Sequence, residues 1–359
     1  MLKYWQTLKL LYLFFLQTKT AYNHKKITGA SYNNKFCTKL PQTMNTTTSV
    51  IQKSESFGYK LANYFVKNYQ CLIQNPRLFL MRKFARFEIV RDWATMLLKR
   101  PAKSHVISQE NASVLGKLDV DAIAATIETD SCYQNLQLPE DTVQELLKFA
   151  SSTVGYINRD ANRPYHYKGT EKVGADLPKN ARVCSYMSNG NQSSTLKELE
   201  KDPGILAIAA KFLGAEPVHM GSEISWSFPV PAENHIQQRK AAQVFHYDLD
   251  DYRFIKFFFY LTDVDMFSGP HTYVSGTHKG KKLMHQLIST RCADIDDEKI
   301  VEYYGAENVV NVCGKAGFGF VENPLCFHRG TQPTEKPRLM LQIEYTINDY
   351  GNIHEALGC

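Results

Sequence analysis

Apolar positions divide the chain into a polar leader, a helical stretch and a long body dominated by strand-like runs. Over 57–98 they recur at spacings of three and four: Tyr64, Phe65, Tyr69, Leu72 and Ile73, then Leu78, Leu80, Met81, Phe84, Phe87, Val90 and Trp93. That period predicts helices, and Pro76 predicts a break between two of them. At 138–150, Pro139 and two acids precede Val143, Leu146, Leu147 and Ala150 on one face, a well-signalled helix start. Another helix is predicted over 205–213, stopped by Gly214. The run 218–228 alternates, so Ile224, Trp226 and Phe228 share one face of a strand that Pro229 and Pro231 close. By contrast 253–262 is almost continuously apolar and aromatic, as in a strand covered on both faces. Lys256 interrupts it in phase with Phe258, Tyr260 and Thr262; it faces either a cavity or the strand's emerging end, and the end is the reading adopted. A third strand is predicted over 338–345, and the polar, acidic stretch 286–310 reads as an insertion between strands. Gly314, Gly317 and Gly319 lack the spacing of a phosphate loop and predict tight turns and close backbone approach.

Composition changes this picture in two respects. A chain of 359 residues that is 43% hydrophobic and 12% aromatic excludes global disorder. Its eight cysteines contain no C-x-x-C pair, which argues against a structural zinc site or a dense disulfide scaffold and fits a reducing, cytoplasmic setting. The net charge of +6 conceals an asymmetry: residues 1–105 carry 18 Lys and Arg against 3 Asp and Glu. The resulting division is a basic, poorly ordered arm (1–56), a helical basic segment (57–115) that packs on the core or a membrane surface, and a body (116–359). Weak membrane-surface association through the basic segment is one expectation; no specific nucleic-acid signal is present. The apolar run at 10–16 is far shorter than the ~20 residues of a spanning helix. It has the charge-then-apolar order of a signal peptide without a clear cleavage pair.

Candidate chemistry lies in 243–251, Gln-Val-Phe-His-Tyr-Asp-Leu-Asp-Asp, and in 327–331, Phe-His-Arg-Gly-Thr. His246 and Asp248 are two apart and leave an extended strand by the same face. With His328 they make two imidazoles and one carboxylate, the facial triad of non-haem Fe(II) oxygenases. Arg338, ten residues beyond His328, is placed to hold the far carboxylate of a chelating dicarboxylate. His278 reads as a hydrogen-bonded structural residue, and His271 and His285 as surface residues. Gln243, Tyr252 and Arg253 flank the motif, either lining the substrate side or packing its strands. The acidic residues at 294–298 lack EF-hand spacing.

The stretch from His246 to Lys282, with Tyr-Leu-Thr-Asp-Val-Asp at 260–265, Ser-Gly-Pro at 268–270 and Val-Ser-Gly-Thr-His at 274–278, resembles the phytanoyl-CoA dioxygenase-like family. So does 314–345, and the resemblance extends over roughly 138–350. It implies a mainly β fold with flanking helices, a double-stranded β-helix. It implies Fe(II) held by His246, Asp248 and His328, 2-oxoglutarate as co-substrate held by Arg338, and O2 as oxidant. The activity implied is hydroxylation of a small organic molecule with release of succinate. Related halogenases replace the carboxylate ligand with a small residue; Asp248 is retained, which favours hydroxylation. Family members place a small hydroxyl residue two after the distal histidine; here that position is Gly330, and Thr331 is the nearest substitute. The rival readings are a non-catalytic binding or regulatory protein on the same fold and a cupin-like metalloenzyme that does not use 2-oxoglutarate. The four intact residues argue against the first, and Arg338 against the second.

Overall fold

The computed structural model describes residues 66, 68–98, 112–168, 177–186, 192–229, 238, 241–288 and 291–351. The basic arm, its short apolar run and the start of the helical period lie outside these residues. Pro76 separates two helices as expected: one runs over 68–74, and Pro76 opens the next, α1 (Pro76–Phe84), behind an Asn75 cap; after a turn at 85–87 comes α2 (Glu88–Leu98). Then come α3 (Val120–Asp130), β1 (Cys132–Gln137), α4 (Glu140–Ser152), β2 (Gly155–Ile157), β3 (Pro164–Tyr165), β4 (Val183–Ser185), α5 (Ser194–Leu199) and α6 (Pro203–Leu213). The predicted stop at Gly214 is observed, with the glycine in the left-handed region at φ 66°.

The remaining elements are β5 (Val218–Ser227), β6 (Phe254–Tyr260), β7 (His271–Val274), α7 (Leu283–Leu287), α8 (Asp297–Tyr304), β8 (Val309–Val312), β9 (Phe318–Glu322), β10 (Phe327–Gly330) and β11 (Arg338–Thr346). Two antiparallel sheets result, one ordered β1-β9-β6-β11-β5-β4-β2-β3 and the other β10-β7-β8. The expected double-stranded β-helix is therefore present.

Alternation assigns the faces. Ile224, Trp226, Ile255, Phe257, Phe259, Leu341 and Ile343 pack outward from the large sheet against α3, α4 and α6. The opposite phase, with Phe258, Tyr260 and Phe320, turns inward toward Tyr273 and Val312 of the small sheet. Gly319 lies so close to the Phe259 ring that a Cβ has no room, which is the close approach expected of that glycine.

A third cluster covers the outer side of the small sheet. Leu78 and Met81 of α1 pack there with Phe245, Tyr247, Leu249, Val274 and Phe327. The basic helical segment is thus seated on the body through α1, while Ile89, Trp93, Met96 and Leu97 of α2 stay exposed. No described helix is long and apolar enough to cross a membrane. The insertion 286–310 contains α8, whose Ile300 is fully buried, so it is more than the polar connector its composition suggested.

Asp251 joins the segment after the histidine–carboxylate motif to the end of β11. It is fully buried and accepts from the backbone N–H of Tyr252 (2.7 Å), Ile347 (2.9 Å) and Asn348 (2.8 Å), the Asn348 amide and the Tyr350 hydroxyl. Asp251→Ala orphans these donors and should cost on the order of 3 kcal/mol or more, read as the shift in a urea unfolding midpoint. A loss below about 0.5 kcal/mol would rule out Asp251 as the tie.

Lys281 offers a pH-dependent test of packing. Its Nζ is buried between the Tyr247 and Phe327 rings, 4.8 and 5.1 Å from their centroids, and donates to the Thr277 and Leu325 carbonyls. Burial depresses its pKa to about 7 from 10.5. The unfolded chain therefore binds the proton more tightly, so the penalty is full below pH 7 and is relieved as pH rises toward 10.5. Relative to Lys281→Met, the native chain should gain thermal stability between pH 7 and pH 9. A pH-independent difference would show that the ammonium is not disfavoured by the fold.

Candidate active site

A single antiparallel bridge builds the site. His246 N–H donates to the His328 carbonyl at 3.0 Å, and His328 N–H donates back at 2.8 Å. Gly330 N–H donates to Ala242 O and Asp248 N–H to Pro324 O, so the 242–248 segment runs along β10 as an extra edge of the small sheet. The predicted strand is thus an extended segment held at a few points, with no continuous ladder. Phe245, Tyr247 and Leu249 alternate into the outer apolar cluster, and His246 and Asp248 face the cavity between the sheets.

The three predicted ligands converge. The His246 Nε2 lies 3.7 Å from Asp248 Oδ1, and the His328 Nε2 lies 3.6 Å from Asp248 Oδ2. All three ligand atoms fall within 4.8 Å of one another. Metal–ligand bonds near 2.1 Å at right angles require about 3 Å between ligand atoms, so small side-chain movements close the triad. Both imidazoles have their other nitrogen committed: Nδ1 of His246 meets Val244 O at 2.8 Å, and Nδ1 of His328 meets Cys326 O at 3.0 Å. Donation there leaves each Nε2 lone pair for a metal. Burial, reinforced by His328, depresses the His246 pKa to about 3, which keeps its ring in the neutral, ligating form.

Asp248 is the electrostatic centre. Lys256 Nζ lies 2.6 Å from its Oδ2 and Arg291 Nη1 3.1 Å from its Oδ1. Burial would raise the carboxyl's pKa, but Lys256, His328 and His246 together hold it well below its usual range. Lys256 projects from β6 into the cavity, paired also with Asp250 at 3.3 Å and Glu344 at 3.4 Å. The strand-end position expected for it is therefore corrected, because carboxylates on three sides make an inward lysine affordable. In Glu344 burial dominates over the Lys256 charge and lifts the carboxyl pKa to about 8.

Behind His328, Glu322 is fully buried, with Oε1 3.3 Å from His328 Nδ1 and Oε2 2.6 Å from His271 Nε2. His271 is thus buried behind the site, contrary to the surface position expected, and it also lines the cavity. His285 is buried as well, 2.7 Å from the Tyr304 hydroxyl. His278 is the hydrogen-bonded structural residue expected, held by the Ser131 hydroxyl and the Glu128 carbonyl. Glu322, Cys326 and His328 form a second compact trio. Burial keeps the Cys326 thiol protonated, and it donates to Glu322, so this trio supports His328 and is not a thiolate metal site.

Arg338 enters the same cavity, of about 670 Å³, from the head of β11. It is buried; Nη1 donates to Gly269 O, Nη2 meets Ser227 Oγ at 3.3 Å, and Nε has no partner among the described residues. Ser227 is its direct cross-strand neighbour on β5. Thr331 does not line the cavity: its hydroxyl is 2.9 Å from that of Thr272. Gly330 does line it. Gln243, Tyr252 and Arg253 do not, and instead serve packing; Arg253, for example, donates to Phe212 O at 2.7 Å. Ser227, Glu223, Arg159 and Arg291 line the cavity without having been anticipated. The signal for two of them was present, since Glu223 and Ser227 occupy the phase of β5 complementary to Ile224, Trp226 and Phe228.

The family model for phytanoyl-CoA dioxygenase matches residues 137–340. No curated protein matches the chain. Similar solved structures include the epimerase SnoN in complex with Fe3+, alpha ketoglutarate and nogalamycin RO, at 19% identity over 63% of this chain and 83% of that one, with a TM-score of 0.45. EctD from S. alaskensis with bound Fe is 16% identical over 62% of this chain and 75% of that one, with a TM-score of 0.42. HygX from Streptomyces hygroscopicus, with nickel and 2-oxoglutarate bound, is 14% identical over 62% and 85%, with a TM-score of 0.42. The match spans more than half the sequence and includes both segments that carry His246, Asp248 and His328, and on that ground the chain belongs to the phytanoyl-CoA dioxygenase family.

Proposed function

We propose that this protein is an Fe(II)- and 2-oxoglutarate-dependent dioxygenase that hydroxylates a small organic substrate and releases succinate. One observation carries the reading: three ligand atoms of the facial-triad type converge in a cavity that also holds a buried arginine with a spare donor. The residues fit the metal. His246, Asp248 and His328 would occupy one face and leave the opposite positions open to co-substrate and oxidant. When bound, ferrous iron supplies the redox chemistry by which O2 is activated at the expense of 2-oxoglutarate.

The protein's own contribution is position and shielding. Arg338 offers a guanidinium fork with an unused Nε to the distal carboxylate of the co-substrate. Ser227 supplies the hydroxyl beside it, the role first expected of Thr331. Lys256 holds Asp248 in its ionised, ligating form, and Arg291 donates to its other oxygen. Retention of the Asp248 carboxylate supports hydroxylation over halogenation.

Protein supplied with Fe(II), 2-oxoglutarate and a metabolite extract should consume O2, form succinate and yield a product heavier by one oxygen. Iron-dependent oxidation without succinate would instead identify a metalloenzyme that does not use 2-oxoglutarate, and the absence of any turnover would favour a binding protein.

His246→Ala should abolish turnover and weaken Mn(II) binding, followed by electron paramagnetic resonance, by roughly a hundredfold. Full activity in this variant would sink the metal assignment. Arg338→Ala should leave Mn(II) binding in place and raise the 2-oxoglutarate concentration for half-maximal rate by between tenfold and a hundredfold, as expected for losing about 1.5–3 kcal/mol of charge-assisted hydrogen bonding.

A further inference from the structure

Two arginines line the cavity on backbone that their residue type rarely adopts. Asn158 and Arg159, between β2 and β3, are both left-handed, at φ 55° and 60°. Asp160 N–H donates to Ile157 O, closing a turn whose two left-handed central positions normally take asparagine and glycine; here the second is arginine. Arg291 and Cys292 form another consecutive left-handed pair, at φ 55° and 67°. Non-glycine residues held this way mark places where the fold accepts strain to deliver a side chain. Both arginines belong to the same cavity lining as the metal-facing triad.

Each is only partly used. Arg159 spends Nε and Nη2 on the two oxygens of Glu223, at 2.8 and 3.1 Å, and its Nη1 has no partner among the described residues. Arg291 spends only Nη1, on Asp248, leaving Nε and Nη2 without partners among the described residues. Their side chains are 38% and 42% exposed, so both are reachable. Asp248 is the one counter-ion of Arg291 among the described residues, and a metal held by Asp248 would compete for it. Among the described residues, the apolar side chains of the lining near these groups are short: Val183, Ala241, Ala242, Val244 and Ala293.

We propose that Arg291 and Arg159 bind the anionic group of the substrate, a carboxylate or phosphate, and so restrict the enzyme to small anionic metabolites. The proposal deepens the dioxygenase reading and rests on it. The test uses full-length protein loaded with Mn(II) and 2-oxoglutarate, with Mn(II) binding verified by electron paramagnetic resonance. Inorganic phosphate is titrated while its 31P relaxation is measured, and acetate is titrated in parallel through 13C relaxation. Paramagnetic relaxation falls steeply with distance, so only an anion held near the triad responds.

Saturable enhancement for phosphate or acetate is expected, weakened at least tenfold in the Arg159→Gln/Arg291→Gln double variant and recovered in part by Arg159→Lys/Arg291→Lys. Response to phosphate assigns a phosphorylated substrate, and response to acetate alone a carboxylate. No enhancement with either anion, or enhancement unchanged in a glutamine variant that still binds Mn(II), overturns the proposal while leaving the dioxygenase reading intact. If the glutamine variant loses Mn(II), the lysine pair decides: normal Mn(II) binding with no anion response also overturns it. Failure of the native protein to bind Mn(II) overturns the metal reading and this proposal with it.

Discussion

The site depends on one pair of backbone hydrogen bonds. A doubly bonded antiparallel pair fixes two Cα atoms about 5.5 Å apart, with side chains leaving the same face. Applied to His246 and His328, that constraint sets two imidazoles side by side although 82 positions separate them in the chain. The pleat then places Asp248 on the same face, and its N–H on Pro324 O prevents the segment from peeling away. Every other element near the site can be understood as holding this bridge. Phe245, Tyr247 and Phe327 anchor its outer face against α1, and Asp297 of α8 accepts from Phe245 N–H at 2.8 Å while pairing with Arg329 of β10.

Such a bridge brings an electrostatic burden into an otherwise aromatic interior. Asp248, Lys256, Glu344, Glu322, His271 and His328 are all largely withdrawn from water, and isolated buried charge is far costlier than paired charge. The pairings form two connected sets that meet at Asp248 and His328. Lys256 serves Asp248, Asp250 and Glu344; Glu322 serves His271 and His328. Burial alone would depress the His328 pKa, but Glu322 and Asp248 outweigh it and raise it. Apolar residues of similar volume would commonly be at least as stable, so the presence of these ionisable groups is better explained by the chemistry of the site than by folding.

What the sequence made legible follows from how local each determinant is. The helix at Glu140–Ser152, the stop at Gly214 and the helix break at Pro76 depend on neighbours within a turn, and all three are found. Alternation in β5 showed which residues enter the core, and its complement marked the cavity face. Lys256, His271 and His285 were misjudged because their partners Glu344, Glu322 and Tyr304 are 88, 51 and 19 residues away, brought close only by sheet register or helix packing. Polarity suggested exposure for each, yet a polar residue is buried wherever distant carboxylates or hydroxyls satisfy it. Arg159 and Arg291 were invisible for a further reason: each sits in a turn whose left-handed backbone is unexpected for arginine.

The departure at Gly330 is best understood together with Ser227. A Cβ at position 330 would lie 3.3 Å from Arg338 Nη2, closer than such contacts usually come. The guanidinium thus occupies room that a larger residue would claim, and a hydroxyl side chain at 330 would crowd it. That hydroxyl is supplied from the other side, because register pairs Arg338 with Ser227 and brings Oγ to 3.3 Å from the same nitrogen. The glycine on β10 and the hydroxyl on β5 thus both lie against the same guanidinium nitrogen. Thr331, one residue along, cannot substitute because the pleat sends it to Thr272. The Arg338 guanidinium therefore has a hydroxyl within reach, carried by β5 and not by β10.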